Sequence, residues 1–187
     1  MSSPIGSKRT VKIFVLYLLE NINYPLEHTV INDIVMQTDY VMYLDFAESF
    51  NEMLDAGLIE ELPNPEKPDF PLYRITEHGR IVATELKSDV LASILDSSLE
   101  QALRYLDFRR RGITSECTVE EIDRRTGECA VHCRLLEQNE VLFESTLRVD
   151  SRNRAERMRD NFNFRPDVIY RGYIALLAGK VNFLFDN

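Results

Sequence analysis

Residues 50–61 read FNEMLDAGLIEE and residues 73–80 read YRITEHGR, and these two stretches decide the fold of the N-terminal half. Four apolar side chains around the first stretch recur at the spacing of one buried helical face: Phe46, Phe50, Met53 and Leu54. Gly57 ends this helix, because glycine accepts the left-handed backbone conformation that follows a helix. The pattern therefore predicts a helix over residues 41–56, followed by a strand over residues 58–62.

The second stretch completes a β-ribbon. Prolines before it, at positions 63, 65, 68 and 71, predict a loop. Residues 72–75 predict the second strand, and Thr76 is placed to cap a helix over residues 77–87. Upstream, residues 7–21 and 30–37 carry apolar residues at helical spacing. Two helices, a turn, a third helix and a ribbon follow one another in the order of a winged helix.

Two motifs in these stretches resemble the winged-helix regulators of the MarR, PadR and ArsR kind. In those proteins the recognition helix ends in Gly-Leu-Ile, as residues 57–59 do here, and the wing returns through a Tyr-x-(Leu/Ile)-Thr-x-x-Gly segment, as residues 73–79 do. The match covers about residues 7–87. The resemblance implies a bacterial transcription regulator that binds DNA as a homodimer.

The C-terminal half has a different periodicity. Residues 89–110 predict a long linking helix, with a stripe of Leu91, Leu95, Leu99, Ala102 and Leu106. Three alternating segments then predict an antiparallel meander, at residues 113–123, 129–136 and 141–149. Two helices follow, after Ser151 and from Pro166, and the second is expected to lay Ile169, Tyr173, Leu176 and Leu177 on the dry face of the sheet.

These elements predict an α+β protein in three parts. A winged helix-turn-helix domain spans residues 1–88, a linking helix spans residues 89–111, and an α+β domain with a three-stranded antiparallel sheet and two helices spans residues 112–187. The C-terminal domain is expected to serve dimerisation or effector sensing. The arrangement of the whole chain resembles an uncharacterised family of Gram-positive bacterial proteins known only as a domain of unknown function.

The charge pattern complicates DNA binding. Residues 1–88 carry 7 Lys and Arg against 14 Asp and Glu, a net charge of −7, whereas residues 89–187 carry a net charge of −2. No Lys or Arg occurs between Asp39 and Asp55, although a recognition helix reads bases with such side chains. The residues best suited to touch DNA are Lys8, Arg9, Lys12, Tyr40, Tyr43, Ser49, Asn51, Lys67 and Arg74.

Three interpretations stay open at this point. The N-terminal cations bind DNA with neutral help from the third helix, or a dimer binds with the help of the arginine-rich C-terminal segments, or the winged helix binds a protein instead. The arginines expected to contact an anion or a partner are Arg109, Arg110, Arg111, Arg154 and Arg157. A solvated helix face balanced by Glu156 and Asp160, or contact with the acidic N-terminal domain of the same or a partner chain, would also explain them.

Catalysis, metal binding and cofactors find no motif in the sequence. There is no G-x-G-x-x-G after a strand, no P-loop and no G-x-S-x-G elbow, so we expect a non-enzymatic protein without a cofactor. Cys117, Cys129 and Cys133 lack a C-x-x-C pair, which predicts reduced thiols and no metal site. His132 alternates with the last two and should face away from them. No segment is apolar and long enough for a signal peptide or a membrane span, so we expect a cytoplasmic protein.

Overall fold

The computed structural model describes residues 3–179, and it is an α+β protein as the sequence predicts. The chain forms two compact units, Met1–Arg104 and Tyr105–Asn187. Helices dominate the first unit, and a three-stranded antiparallel sheet followed by two helices makes up the second.

The first unit contains these elements in chain order: α1 (Lys8–Ile22), β1 (Leu26–Glu27), α2 (His28–Met36), α3 (Tyr43–Asp55), β2 (Ile59–Leu62), β3 (Leu72–Ile75) and α4 (Glu77–Leu86). A single 3-10 turn, Lys87–Asp89, follows. The predicted ribbon forms as an antiparallel pair in which Ile59 lies opposite Ile75. Sequence patterning therefore located the three helices and the ribbon to within a few residues.

A short strand lies where Pro25 predicts only a loop. Leu26 pairs with Tyr73, so β3 is the central strand of a three-stranded sheet with the order β1-β3-β2. Two residues carry no periodicity of their own, and the strand exists because β3 lies beside it. Since α2 begins directly after this strand, its N-cap is Glu27.

The core of the first unit forms between the helices and this small sheet. The apolar stripe of α3 is buried as predicted, with Phe46 and Met53 at 0% and Phe50 at 2% exposure, whereas Leu54 is only half-buried. On α1, both Phe14 and Val15 are fully buried. Burying such side chains contributes about 1.5–3 kcal/mol each relative to exposure, so these helices are held by packing.

Gly57 and Thr76 join α3, the ribbon and α4 as expected. Gly57 has a φ of +63°, and the amide of Leu58 donates to the carbonyl of Met53 at 2.9 Å, which closes the end of α3. The Thr76 hydroxyl accepts from the amide of Gly79 at 3.1 Å and donates to the carbonyl of Gly57 at 2.7 Å. One threonine thus caps α4 and fixes its start against the end of α3.

The linking helix is shorter than predicted. It is α5 (Ala92–Arg110), and Val90 before it is extended, with φ −118° and ψ 141°. Val90 is 5% exposed, so its side chain packs into the first unit and the chain bends there. Leu91 therefore falls outside the helix and is 69% exposed, which removes it from the predicted stripe.

The second unit contains β4 (Ile113–Asp123), β5 (Glu128–Glu137), β6 (Glu140–Val149), α6 (Arg152–Phe164) and α7 (Pro166–Leu177). The sheet has the order β4-β5-β6, which is the predicted meander. Cys129, Val131, Cys133 and Leu135 form the buried face of β5, and Ala155 and Phe162 of α6 belong to the same core.

Two expectations for the dry face of the sheet are wrong, one for α7 and one for β6, where strict alternation predicts Val141 and Phe143 on the same face. A bulge beside Leu135 and Leu136 turns Leu142 as well as Phe143 toward the core and leaves Val141 51% exposed. On α7, Ile169 packs against the core and Tyr173 meets Phe143 edge-on at 5.0 Å, as expected. Leu176 and Leu177 instead remain 42% and 77% exposed, because only one row of side chains on the helix can face the sheet.

Candidate nucleic-acid interface

Lysines of α1 and carboxylates of α3 form a two-rung ladder on the surface predicted to meet DNA. Lys8 forms an ion pair with Glu48, and Lys12 donates to Glu52 at 2.9 Å. The hydrogen bond to Glu48 raises the pKa of Lys8, and the hydrogen bond from Lys12 lowers the pKa of Glu52. The ladder points both lysines at carboxylates instead of outward.

The other three cations of the predicted DNA surface are also paired. Arg9 donates to Asp89 at 2.8 Å. In the ribbon and its loop, Lys67 donates to Glu27 at 2.7 Å and Arg74 donates to Glu60 at 2.6 Å. All five cations expected to bind phosphate therefore neutralise acidic groups of their own unit.

The four uncharged residues of the predicted set are divided by burial. Tyr43 and Asn51 are exposed on α3, and Tyr40 is half-buried. Ser49 is fully buried, so its hydroxyl cannot reach a ligand at the surface and its predicted contact is wrong. The helical spacing puts Ser49 on the core side, beside Phe46 and Phe50.

The start of α3 presents apolar side chains to solvent. Met42, Tyr43 and Leu44 are 39%, 59% and 71% exposed, and we call these three residues the α3 tip. The chain near the N-terminus supports it, since the Ser3 hydroxyl accepts from the amide of Met42 at 2.9 Å and donates to Asp45 at 2.5 Å. The hydrogen bonds that the Ser3 hydroxyl and the Ser3 amide donate to Asp45 lower the pKa of Asp45 and keep a carboxylate in the first turn of α3.

The arginine clusters of the second unit are largely neutralised by near neighbours. Arg111 makes a two-pronged pair with Glu137 at 2.8 and 3.0 Å, which raises the pKa of Arg111 and lowers that of Glu137. Arg110 pairs with Asp107 at 3.0 Å, and Arg154 pairs with Asp150 at 3.6 Å.

Two of the five arginines expected to bind an anion or a partner differ from the rest. Arg109 contacts the Tyr105 hydroxyl at 3.5 Å. Arg157 is exposed and forms no ion pair with any residue between 3 and 179. The structure therefore does not gather the five side chains into one pocket for an anion.

The family model described as Domain of unknown function (DUF4364) matches residues 11–177. The chain belongs to this family. The expected membership of an uncharacterised family is therefore confirmed. No curated protein and no solved structure matched the chain.

On the outer face of its β4-β5-β6 sheet, the DUF4364 domain carries a row of polar side chains. His132 Nδ1 lies 3.0 Å from the Thr146 hydroxyl, and its Nε2 lies 3.3 Å from a Glu120 oxygen. A hydroxyl, an imidazole and a carboxylate in this order resemble a nucleophile, base and orienting group. Glu120 is 72% exposed and His132 38%, so water solvates the row, and we interpret it as a polar sheet surface.

Metal and membrane features are limited within the part of the chain that the structure describes. Residues 3–179 contain no cluster of three or more His, Cys, Asp or Glu arranged to hold a metal ion. In the same residues, no helix has both the length and the apolar character needed to span a bilayer. As predicted from strand alternation, His132 faces away from the core that holds Cys129 and Cys133.

The sequence-based interpretation missed the carboxylate partners in the DUF4364 domain. Lys8 and Lys12 are four residues apart, and so are Glu48 and Glu52, so each pair occupies one helical face. This shared spacing was a usable signal. It becomes a ladder only because α1 and α3 pack side by side, which the spacing alone does not reveal. The α3 tip was missed because three adjacent apolar residues fit no helical stripe.

Proposed function

We propose that the N-terminal unit is a winged helix-turn-helix module that binds a protein partner through the α3 tip, without catalysis. The winged-helix assignment is supported by the order of three helices and a β-ribbon, and by the match of Gly57 and Thr76 to their roles in the regulator motifs. A fold of this kind does not by itself supply a function. The surface of α3 therefore carries the argument.

The observation that carries the proposal is the chemistry at the start of α3. A recognition helix that reads DNA points its N-terminal residues at base edges. Here those residues are Met42, Tyr43 and Leu44, and the nearby cations are already paired with carboxylates. Contiguous exposed apolar side chains mark sites of protein contact. The partner that fits is an apolar recess bordered by Lys or Arg, because residues 1–88 carry a net charge of −7.

Site-specific photocrosslinking in cells tests this proposal. A photoreactive amino acid at Leu44 should form an adduct with one defined protein, and the same group at Leu103, which is 47% exposed on α5, should not. With the purified partner, Leu44→Asp should weaken binding at least about tenfold, a loss of about 1.4 kcal/mol, and Leu103→Asp should leave it unchanged. Equal adducts at the two positions, or an adduct destroyed by nuclease, would refute the proposal.

DNA binding by a homodimer is the second candidate, and the exposure of the ion pairs favours it. Lys8, Arg9 and Lys67 have side chains that are 47%, 64% and 51% exposed, and exposed pairs contribute little energy. Phosphates can therefore compete with the carboxylates for these cations. Tyr43 and Asn51 would then supply neutral contacts from α3.

Binding to the protein's own upstream DNA over a salt series distinguishes this candidate. Phosphate recognition requires affinity that falls steeply as salt rises, with a slope of about −0.9 per phosphate neutralised. Lys8→Glu together with Arg9→Glu should then weaken binding, with Arg124→Glu together with Arg125→Glu in the β4–β5 turn as the charge-matched control. Affinity that ignores both salt and the paired substitution would eliminate DNA as the ligand of this surface.

We also propose that α7 mediates homodimerisation. Five of its twelve residues expose large apolar side chains: Val168, Tyr173, Ile174, Leu176 and Leu177. The ionisable charges of this helix are one Asp and one Arg, so two copies can pair without net repulsion. Sedimentation velocity should show a dimer that Ile174→Glu dissociates and that Ile122→Glu, at an exposed position of β4, preserves. A wild-type monomer at micromolar concentration would contradict this assignment.

A further inference from the structure

Two thiols face each other across β4 and β5. Cys117 and Cys133 are direct partners in the antiparallel register, and their sulfur atoms are 3.1 Å apart. Cys133 is 7% exposed and Cys117 is half-buried, so the pair lies at the border of the core. Both are free thiols joined by a hydrogen bond.

We propose that Cys117 and Cys133 form a redox modification site, which a small peroxide converts into a disulfide that cross-links β4 and β5. Residues directly opposite on antiparallel strands have Cα atoms about 4.5–5.5 Å apart, within the range of about 4.4–6.8 Å that a disulfide spans. The sulfur atoms must approach by about 1 Å to reach bonding distance. The sheet therefore accepts the bond with only a small adjustment.

The chemistry is a two-electron oxidation by hydrogen peroxide. The thiolate of Cys117, the more exposed sulfur, attacks one peroxide oxygen, the O–O bond breaks, and a sulfenic acid and one water form. The Cys133 sulfur then attacks that sulfenic sulfur, the S–O bond breaks, and a second water leaves with the Cys133 proton. Two thiols lose two protons and two electrons, and one peroxide becomes two waters.

Burial makes this site slow at neutral pH. Desolvation by burial and the hydrogen bond with Cys133 raise the pKa of Cys117 to about 12. Because the thiolate is the attacking species, its fraction and hence the rate should rise about tenfold per pH unit between pH 7 and 9. The partly closed environment also favours a small oxidant over a bulky disulfide. The site therefore responds to sustained exposure to peroxide.

Cys129 provides a matched control inside the same strand. It is 1% exposed and lies four residues from Cys133, about 13 Å along β5, so the two cannot pair. Its sulfur contacts the carbonyl of Gly127 at 3.5 Å. One tryptic peptide, residues 126–134, contains both Cys129 and Cys133, so the variant Cys129→Ala is needed to assign the partner of Cys117.

The experiment treats the full chain with hydrogen peroxide at pH 7 and pH 9, blocks remaining thiols, and measures intact mass and cross-linked peptides. Wild type and Cys129→Ala should lose the mass of two hydrogens and join peptides 112–124 and 126–134, and Cys117→Ala should not. The disulfide should raise the melting temperature of the second unit by about 10 °C, reversibly with a dithiol reductant.

Three outcomes would overturn the proposal. These are a bond that uses Cys129, a bond that joins two chains, and oxidation to sulfinic or sulfonic acid with no disulfide. A rate that does not change with pH would contradict the thiolate mechanism. The peptide maps and intact masses of the wild-type and Cys129→Ala chains together distinguish these outcomes even if Cys117→Ala fails to fold.

Discussion

The two units use the same kind of amphipathic helix with different results. In the first unit, the apolar stripe of α3 is buried in the core of that unit, with Phe46 and Met53 fully buried. In the second, α7 buries one row against the sheet and leaves Ile174 and Leu177 49% and 77% exposed. α3 exposes large apolar side chains only at its tip, whereas α7 exposes them along most of its length, and exposed apolar surface favours association. This difference is why α7 is our candidate for self-association.

The units also differ in how they neutralise cations. In the first, Lys12 pairs with Glu52, 40 residues away, and Arg9 pairs with Asp89, 80 residues away. In the second, local pairs occur beside distant ones, since Arg110 pairs three residues back with Asp107 whereas Arg111 pairs with Glu137, 26 residues away. Local pairs can be read from spacing, and distant pairs depend on the packing of elements. The electrostatics of the candidate DNA surface therefore depend on the fold.

Truncation of one buried aromatic ring in each unit should cause the largest loss of stability. Phe46→Ala in the first unit and Phe162→Ala in the second should each cost about 3–5 kcal/mol, because each leaves a cavity in a packed core. Phe70→Ala, at a 54% exposed position, is the matched control and should cost little. Hydrogen exchange read by mass spectrometry shows which unit loses protection. Equal losses in both units from Phe46→Ala would mean that they unfold together.

Gly79→Ala should cause the second-largest loss of stability. A Cβ there would lie 2.1 Å from the backbone oxygen of Leu58 and 2.8 Å from the Ile75 side chain, so α4 must move away from the ribbon. We expect a loss of about 1–3 kcal/mol from overpacking in urea unfolding. Gly112→Ala meets no atom within 4 Å and tests the cost of a positive φ alone. A smaller loss at Gly79 than at Gly112 would show that α4 does not pack tightly here.

The helix caps of the two units should differ by a smaller amount. Thr76 makes a side-chain hydrogen bond to the start of α4, whereas Ser151 makes none at the start of α6. Thr76→Ala should therefore cost about 1 kcal/mol, and Ser151→Ala only roughly a few tenths. Denaturant midpoints of the two variants give the comparison directly. The reverse ranking would mean that Ser151 caps α6 in solution.

Lowering the pH should reduce the stability of the first unit through His28, and this should be the smallest of the four predicted effects on stability. The ring lies among aromatic side chains, 4.6 Å from Phe50 and 6.3 Å from Tyr73, and burial lowers the pKa of His28. The unfolded chain therefore takes up this proton at a higher pH than the folded unit. Stability is fully present above the unfolded pKa, near 6.5, and is lost as pH falls through the lower folded pKa.

Melting temperatures measured between pH 7.5 and 5 check this expectation. In the wild-type chain the melting temperature of the first unit should decrease as the pH is lowered. His28→Gln should reduce this dependence of the melting temperature on pH. His78→Gln, at an exposed position of α4, is the control and should leave it intact. An unchanged pH dependence in His28→Gln would show that the proton is bound elsewhere.

The sequence by itself determined most of the elements and the inner faces of α3 and β5. Period 3.6 in α3 and period 2 in β5 identify the sides that leave water, because burying apolar surface is favourable whatever covers it. Gly57 and Thr76 fix the end of α3 and the start of α4 through backbone conformation and capping, which are local effects.

Only the tertiary structure decided which elements meet. Strand β1 forms because β3 is beside it, and the lysines of α1 face carboxylates of α3 across 40 residues of sequence. The facing of Cys117 and Cys133 likewise depends on the register between β4 and β5. Contacts between distant segments depend on which apolar faces pack against each other. Periodicity shows that a face is apolar but does not show which other face will cover it.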